Sequence, residues 1–379
     1  MIIYFDNAAT TKVKDEVLKE MEPYFCEQYG NPSSLYTIGR NAKKAIEQAR
    51  EKVAKLIGAD KNEIYFTAGG SESDNTALKG MAFANKSKGN HIITSKIEHP
   101  AILESCLELE KLGFEITYLK VNEQGLINLE ELKDSIRPET ILISIMFANN
   151  EIGTIQPIEE ISKIAKERNI VFHTDAVQAV GNVHIDVKNM GIDMLSMSGH
   201  KIYGPKGIGA LYVKKGIEFD KFIHGGHQEK NKRAGTENTA GIVGLGKACE
   251  IAREQLKEYS EKLQTLRDYY IKEVTQKISD IRINGCINSR LPGNINISFK
   301  DIDSSALLLE LDKRGICVSS GSACSSGNAD ISHVITAIKV PPEYAKGALR
   351  VTIGDYNTKA QVDYLVENLI EIVSKLRKM

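Results

Sequence analysis

The chain has 379 residues, 42% of them apolar, with 49 basic and 50 acidic side chains and a formal net charge of −1. Such a composition is globular, neither disordered, fibrous nor disulfide-stapled, and its charge balance argues against a nucleic-acid binder, which carries a basic excess or stripe. No stretch approaches 18 consecutive apolar residues, so no membrane-spanning helix is expected.

Residues 12–57 carry two amphipathic helix patterns, interrupted by Gly30-Asn31-Pro32-Ser33-Ser34. Residues 64–67 form a short strand that ends in Ala68-Gly69-Gly70-Ser71. Ala77, Leu78, Met81 and Ala82 then recur at helical spacing, with Ser71 three residues before Asp74 as a capping signal. Strands over 91–95 and 115–119 flank a helix over 100–112. The run ILISIM at 141–146 is apolar on both faces, as in a parallel sheet covered by helices. A helix over 158–168 follows, then strands over 170–174, 193–197 and 208–213. Repeated β-α units predict an α/β domain with a mostly parallel central sheet, its crevice beyond the carboxyl ends of the strands. After about residue 257 come long helices, short strands near 281–283, 294–299 and 348–353, and a last helix from 359. The length exceeds what one core usually supports. The expected division is a large domain, 15–256, and a smaller α+β domain assembled from 1–14 and 257–379.

The opening MIIYFDNAATT lacks a basic segment followed by an apolar run, so a secretory leader is not expected. Six cysteines with no CxxC pair read as reduced thiols in a cytoplasmic protein. No Cys/His cluster has the spacing of structural zinc, and no metal site is expected.

Asp175 follows the strand IVFHT, so its carboxylate faces the crevice. Lys201 comes 26 residues later, after another strand and before the turn Tyr203-Gly204-Pro205-Lys206-Gly207. The two could form an ordinary salt bridge. They could equally hold pyridoxal phosphate, the lysine as Schiff base and the acid against the pyridinium nitrogen. The turn lacks the Gly-Lys-Ser/Thr ending of a Walker loop. Gly69-Gly70-Ser71 lies between strand and helix, where free N–H groups can meet a phosphate; it also reads as a plain tight turn. Ser198 and His200 could complete that cradle.

Cys324 lies in SSGSACSSGNAD (319–330), among five serines, two glycines and two alanines. Nothing there anchors a core, while cysteine is usually buried, so Cys324 is a candidate nucleophile or sulfur carrier. Cys26, Cys106, Cys249, Cys286 and Cys317 read as packing residues. Arg350, in the strand-like Ala348-Leu349-Arg350-Val351-Thr352-Ile353, is either a carboxylate clamp or a surface salt bridge.

Together these residues resemble the cysteine desulfurases among the fold-type I pyridoxal phosphate enzymes, of the class V aminotransferase-like group. The likeness is to the branch serving nitrogenase-cofactor maturation and iron–sulfur clusters. It runs through YFDNAATT (4–11), GNPSS (30–34), GGSESDN (69–75), EHPA (98–101) and FANNEIGTIQPI (147–158). It continues through HTDAVQAVG (173–181), SGHKIYGPKG (198–207), KRAGTEN (232–238) and SSGSACSSG (319–327). The resemblance implies that Lys201 is the Schiff-base lysine and Asp175 the partner of the ring nitrogen. His99 would stack on the ring and serve acid–base steps. Asn150 and Gln178 would lie by the phenolic oxygen, and Gly70, Ser71, Ser198 and His200 would hold the phosphate. Thr236 would reach the cofactor of a second subunit, making the active unit a homodimer. Asn31 and Arg350 would grip the carboxylate of L-cysteine, and Cys324 would carry the persulfide. An iron–sulfur scaffold or another sulfur acceptor is the implied protein partner.

Two positions depart from the family pattern. Ser325 stands where many relatives carry Thr, and Asp355 where they commonly carry Arg. A selenocysteine lyase shares the scaffold, as does an aminotransferase. The long loop around Cys324 favours the desulfurase, since transfer chemistry has no use for that thiol.

Overall fold

Short apolar strands alternating with amphipathic helices assemble into one mixed central sheet. The computed structural model describes residues 2–320 and 331–378. In chain order, β1 (Ile3–Tyr4) stands apart. The central sheet holds β2 (Ile64–Thr67), β3 (His91–Ser95), β4 (Glu115–Leu119), β5 (Thr140–Ser144), β6 (Val171–Asp175), β7 (Met194–Ser198) and β8 (Gly209–Val213). Their order is β2-β8-β7-β6-β5-β3-β4. β8 runs antiparallel to both its neighbours, and every other pair is parallel. β4 leaves β3 on one side while β5, β6 and β7 step away on the other. The chain therefore reverses direction across the sheet at β3/β5, where a crevice opens at the carboxyl ends.

The pleat sorts alternate residues to two covering layers. Ile92, Leu142, Met194 and Leu211 join Leu78, Met81, Ile102 and Leu109 of the helices Gly70–Ala84 and Pro100–Lys111 on one face. Ile93, Ile143, Leu195 and Tyr212 pack on the other, against Ile161 of Ile158–Glu167 and Ile46 and Val53 of Thr37–Ile57. Both faces being covered, β3, β5, β7 and β8 are buried throughout.

A second sheet, β12-β10-β9, is antiparallel: β9 (Ile281–Ile283), β10 (Asn294–Phe299) and β12 (Ala348–Thr352). Between the last two, β11 (Ile316–Cys317) pairs in parallel with β1. This region has its own apolar cluster, drawn from Ile3, Phe5 and residues between Leu263 and Val373. Leu291, Val334, Ile335 and Ala348 pack into the larger cluster instead. The last helix, Lys359–Leu376, opens with a capping box between Thr358 and Gln361.

The expected boundary at 256/257 falls inside one continuous helix, Thr239–Lys277. Its first half buries Ile242, Leu245 and Cys249 in the larger cluster, and its second half buries Leu263, Tyr270 and Val274 in the smaller. Gly241, Gly244 and Gly246 hide its start from propensity. They serve close packing: a Cβ on Gly246 would stand 2.7 Å from Ala49 Cα. The helix after β2 also begins earlier than the Ser71 signal implies. Its N-cap is Gly69, at φ 148°, and no side chain caps it. Among the described residues no helix is long and apolar enough to cross a membrane.

Candidate active site

A cavity of about 220 Å³ opens at the carboxyl ends of the parallel strands. It gathers Gly70, Ser71, His99, Asn150, Asp175, Gln178, Ser198, His200, Lys201 and Arg350, ten of the residues singled out in the sequence. Each arrives by a short route from a strand end. β7 stops at Ser198, and the 3-10 turn Gly199–Lys201 carries the lysine. Lys201 Nζ donates to the carbonyls of Ala8 (2.5 Å) and Ala9 (2.7 Å). Gln178 Nε2 also donates to Ala8 O, at 3.0 Å, so the N-terminal segment forms a wall of the site.

Asp175 ends β6 and accepts from the Val177 N–H at 2.9 Å. Burial raises its carboxyl above the usual range, against the pull of His99, that N–H and Lys201. His99 caps the helix Pro100–Lys111, its Nδ1 accepting from the Ala101 N–H at 3.1 Å. The proton of the neutral ring therefore sits on Nε2. Burial lowers this imidazole's pKa, with Asp175 opposing.

The uncapped start of Gly70–Ala84 leaves its first N–H groups open to an anion. A Cβ on Gly70 would stand 2.8 Å from Val177 Cγ2, so a side chain there would have to push Val177 aside. Ser198 lies alongside, its Oγ 3.7 Å from where a Cβ of Gly69 would be. His200 contacts Thr10 Oγ1 at 3.1 Å and is pushed down to about 4, chiefly by burial. Such a donor set can hold a ligand with a phosphate at one end and a basic ring nitrogen near Asp175.

Arg350 is not a surface residue. It is 1% exposed in β12, with Nη2 on Asp6 at 2.8 Å and Nη1 on Asn150 O at 3.2 Å. Among the described residues its Nε has no hydrogen-bond partner. A buried donor left over beside a cavity marks where a ligand carboxylate can sit.

Two expected residues do not reach this cavity. Asn31 is exposed and its Oδ1 accepts from the Ser33 N–H at 2.9 Å in a local turn. Thr236 is exposed in the segment before the long helix. That segment is tied back by Arg233, whose Nε lies 2.9 Å from Glu72 Oε1 in the cradle helix. Cys324 and most of the loop 319–330 lie outside the described residues. Of the other cysteines, Cys106, Cys249 and Cys286 are buried as expected. Cys26 is exposed on the short helix Pro23–Cys26, and Cys317 is half-buried, so neither is a core residue. Asp355 has its own partners, Lys14 at 2.8 Å and Lys262 at 3.6 Å.

Two carboxylates at the site escaped the sequence reading. Asp6 is the partner of Arg350. Asp74 lines the cavity and is 1% exposed. Its signal was its helical phase: Asp74 stands three and four residues before the buried Ala77 and Leu78, on the apolar face.

The class V aminotransferase family model matches residues 3–365. The chain is 56% identical over 379 residues to the cysteine desulfurase IscS of Clostridium botulinum strain Hall, spanning all of this chain and 96% of that one. A solved NifS-like protein shares 40% identity with a TM-score of 0.93, covering 99% of this chain and 100% of its own. The structure described as SspA in complex with cysteine shares 41% identity with a TM-score of 0.83, over 94% of this chain and 99% of that one.

Proposed function

The chain belongs to the class V aminotransferase family, and from that premise we propose that it is a pyridoxal-phosphate-dependent cysteine desulfurase. It takes sulfur from L-cysteine, releases L-alanine and passes the sulfur to an acceptor for iron–sulfur cluster assembly or thiolation. The observation that carries this reading is the cavity joining Lys201, Asp175 and His99 to an uncapped helix N-terminus.

Bound pyridoxal phosphate supplies an electron sink for negative charge at the substrate Cα. Lys201 holds the cofactor and moves the Cα proton at Nζ. Asp175 would face the ring nitrogen of the bound cofactor and keep it protonated, and His99 would lie against the ring. Gly70, Ser71, Ser198 and His200 would hold the phosphate, with Asn150 and Gln178 placed to meet the ring hydroxyl. Arg350, whose Nε has no partner among the described residues, would take the substrate carboxylate. The Cys324 thiolate attacks the substrate sulfur. An S–S bond forms as the C–S bond breaks, the electron pair stays with the substrate carbon, and protonation there completes alanine. Thr236 serves the cofactor of a second copy, which makes the working unit a homodimer. The division into units 15–256 and 1–14 with 257–379 draws support from the separate apolar cluster of the latter. A cytoplasmic setting suits a chain whose described cysteines are all unpaired.

The test compares Cys324→Ala and Lys201→Ala with the unaltered enzyme in an alanine assay on L-cysteine. Cys324→Ala should retain pyridoxal phosphate and lose at least about 100-fold in alanine release, taking the scale of a positioned catalytic group. Lys201→Ala should release none. Undiminished alanine from Cys324→Ala refutes the persulfide route.

A further inference from the structure

Two carboxyls stand in the cavity wall where the proposed reading uses one. Asp175 ends β6, and Asp74 lies four residues into the helix after β2. They are 6% and 1% exposed. One oxygen of each lies within 4.8 Å of the other and of a His99 ring nitrogen. Among the described residues Asp74 Oδ1 has no hydrogen-bond partner, although the residue lines the cavity. A buried carboxylate does not tolerate that; a buried neutral acid can.

We propose that Asp74 is a positioning residue for Asp175: the two carboxyls hold one proton between them, the hydrogen on Asp74 and the charge on Asp175. This rests on Asp175 being the partner of the cofactor's ring nitrogen. Two buried carboxylates within 4.8 Å of each other resist ionising together. Their surroundings decide which one stays neutral. Asp175 faces His99, the Val177 N–H and Lys201, all favouring its anion. Asp74 faces Asp175 and Glu98, which oppose its ionisation, with the Ser196 hydroxyl favouring it. His173 Nε2 stands 3.9 Å from Asp74 Oδ1. Burial holds that imidazole neutral, however, and its nitrogens engage Ser196 Oγ at 3.0 Å and Ser144 Oγ at 2.9 Å. Glu98 is occupied by the Ser95 hydroxyl and the Met146 N–H. The dyad thus keeps a single negative charge, placed on the residue that meets the ring.

Infrared difference spectroscopy of the holoenzyme, unaltered minus Asp74→Asn, reads this directly. A protonated-carboxyl C=O band, shifted in D2O, should be present from about pH 6 to about pH 8 and lost in Asp74→Asn, well above the ordinary Asp range. Glu98 contributes equally to both spectra and cancels. Identical spectra in that region would overturn the proposal. Should Asp74→Asn not fold, carbon-13 labelling of the aspartyl carboxyls in the unaltered holoenzyme gives the same titration. One carboxyl protonated through neutral pH supports the dyad, and full ionisation of every aspartate below about pH 6 overturns it. Neither measurement involves turnover, so its failure leaves the desulfurase reading standing, and failure of the alanine assay leaves the dyad standing.

Discussion

Replacing Glu229 with alanine should strand a buried guanidinium and loosen the strand that leads into the proposed phosphate cradle. The Glu229 and Arg50 side chains are 3% and 5% exposed. Arg50 donates to both Glu229 oxygens at 2.7 Å, and the Phe66 N–H of β2 donates to one of them at 2.8 Å. Breaking a buried pair from one side costs about 3–5 kcal/mol. Arg50 keeps Ile64 O at 2.9 Å and Glu47 at 3.1 Å, so the lower end, about 3 kcal/mol, applies. The orphaned Phe66 N–H adds about 1–3 kcal/mol. One term works the other way. Glu229, Lys230 and Asn231 sit at φ of 46°, 56° and 65°, a left-handed run that the ion pair holds in place. Releasing it returns roughly 1 kcal/mol or more of strain. The expected loss is therefore about 3–5 kcal/mol.

Urea unfolding at saturating pyridoxal phosphate measures that loss, since ligand binding must be held constant for the comparison. The double variant Arg50→Met with Glu229→Met removes both charges and should be less destabilised than Glu229→Ala alone. Because β2 leads into Gly69-Gly70-Ser71, Glu229→Ala should also bind pyridoxal phosphate more weakly. A loss below about 1 kcal/mol, the range of exposed pairs, would refute the reasoning.

Two further outcomes follow from burial and from the composite site. His91 is held down to about 4, mainly by burial and then by Arg137, and burial likewise holds His200 to about 4. Their unfolded pKa is higher, so the unfolded chain binds more protons as pH falls from about 6.5 toward 4, and their contribution to stability is lost across that window. Glu98, raised to about 8 by burial, acts in the opposite sense. The difference between the unaltered protein and His91→Gln isolates one histidine: the variant's unfolding free energy from urea titrations should fall less steeply on acidification, by up to about 1.4 kcal/mol per pH unit. Parallel profiles would remove that assignment. Sedimentation of the holoenzyme should show a two-chain species, and a fully active monomer would end the proposed role of Thr236.

The sheet was legible because its strands are buried on both faces and therefore read as continuous apolar runs, as ILISIM does. Lys201 and Asp175 were legible for a related reason. In an open α/β sheet, the residue just past a strand's carboxyl end faces the crevice, so a strand pattern alone places the side chain. Thr239–Lys277 was not legible in its first half. Three glycines lower its propensity there, and what compensates is contact with Ala49 and Met21, far away in sequence. Arg350 could not be assigned from its strand either. Its burial depends on Asp6, which only the pairing of the chain's two ends brings to it.

Asp74 and Thr236 fail to declare themselves for opposite reasons. Asp74 is named by the local pattern as a capping partner of Ser71, a role that needs the helix to begin later than Gly70. The glycine at 69 takes the N-cap instead, which turns Asp74 inward on the same face as Ala77 and Leu78. A carboxyl so placed has little solvent to stabilise its charge, and Asp175 and Glu98 both oppose its ionisation. Sharing a proton with Asp175 resolves both conditions without any external cation. Thr236 is exposed in its own chain, in a segment tied down by Arg233 to Glu72, by the Gly235 N–H to Gln228 Oε1 and by the buried Ala234. The proposed contact of that exposed hydroxyl with a phosphate therefore needs a second copy to bring one to it.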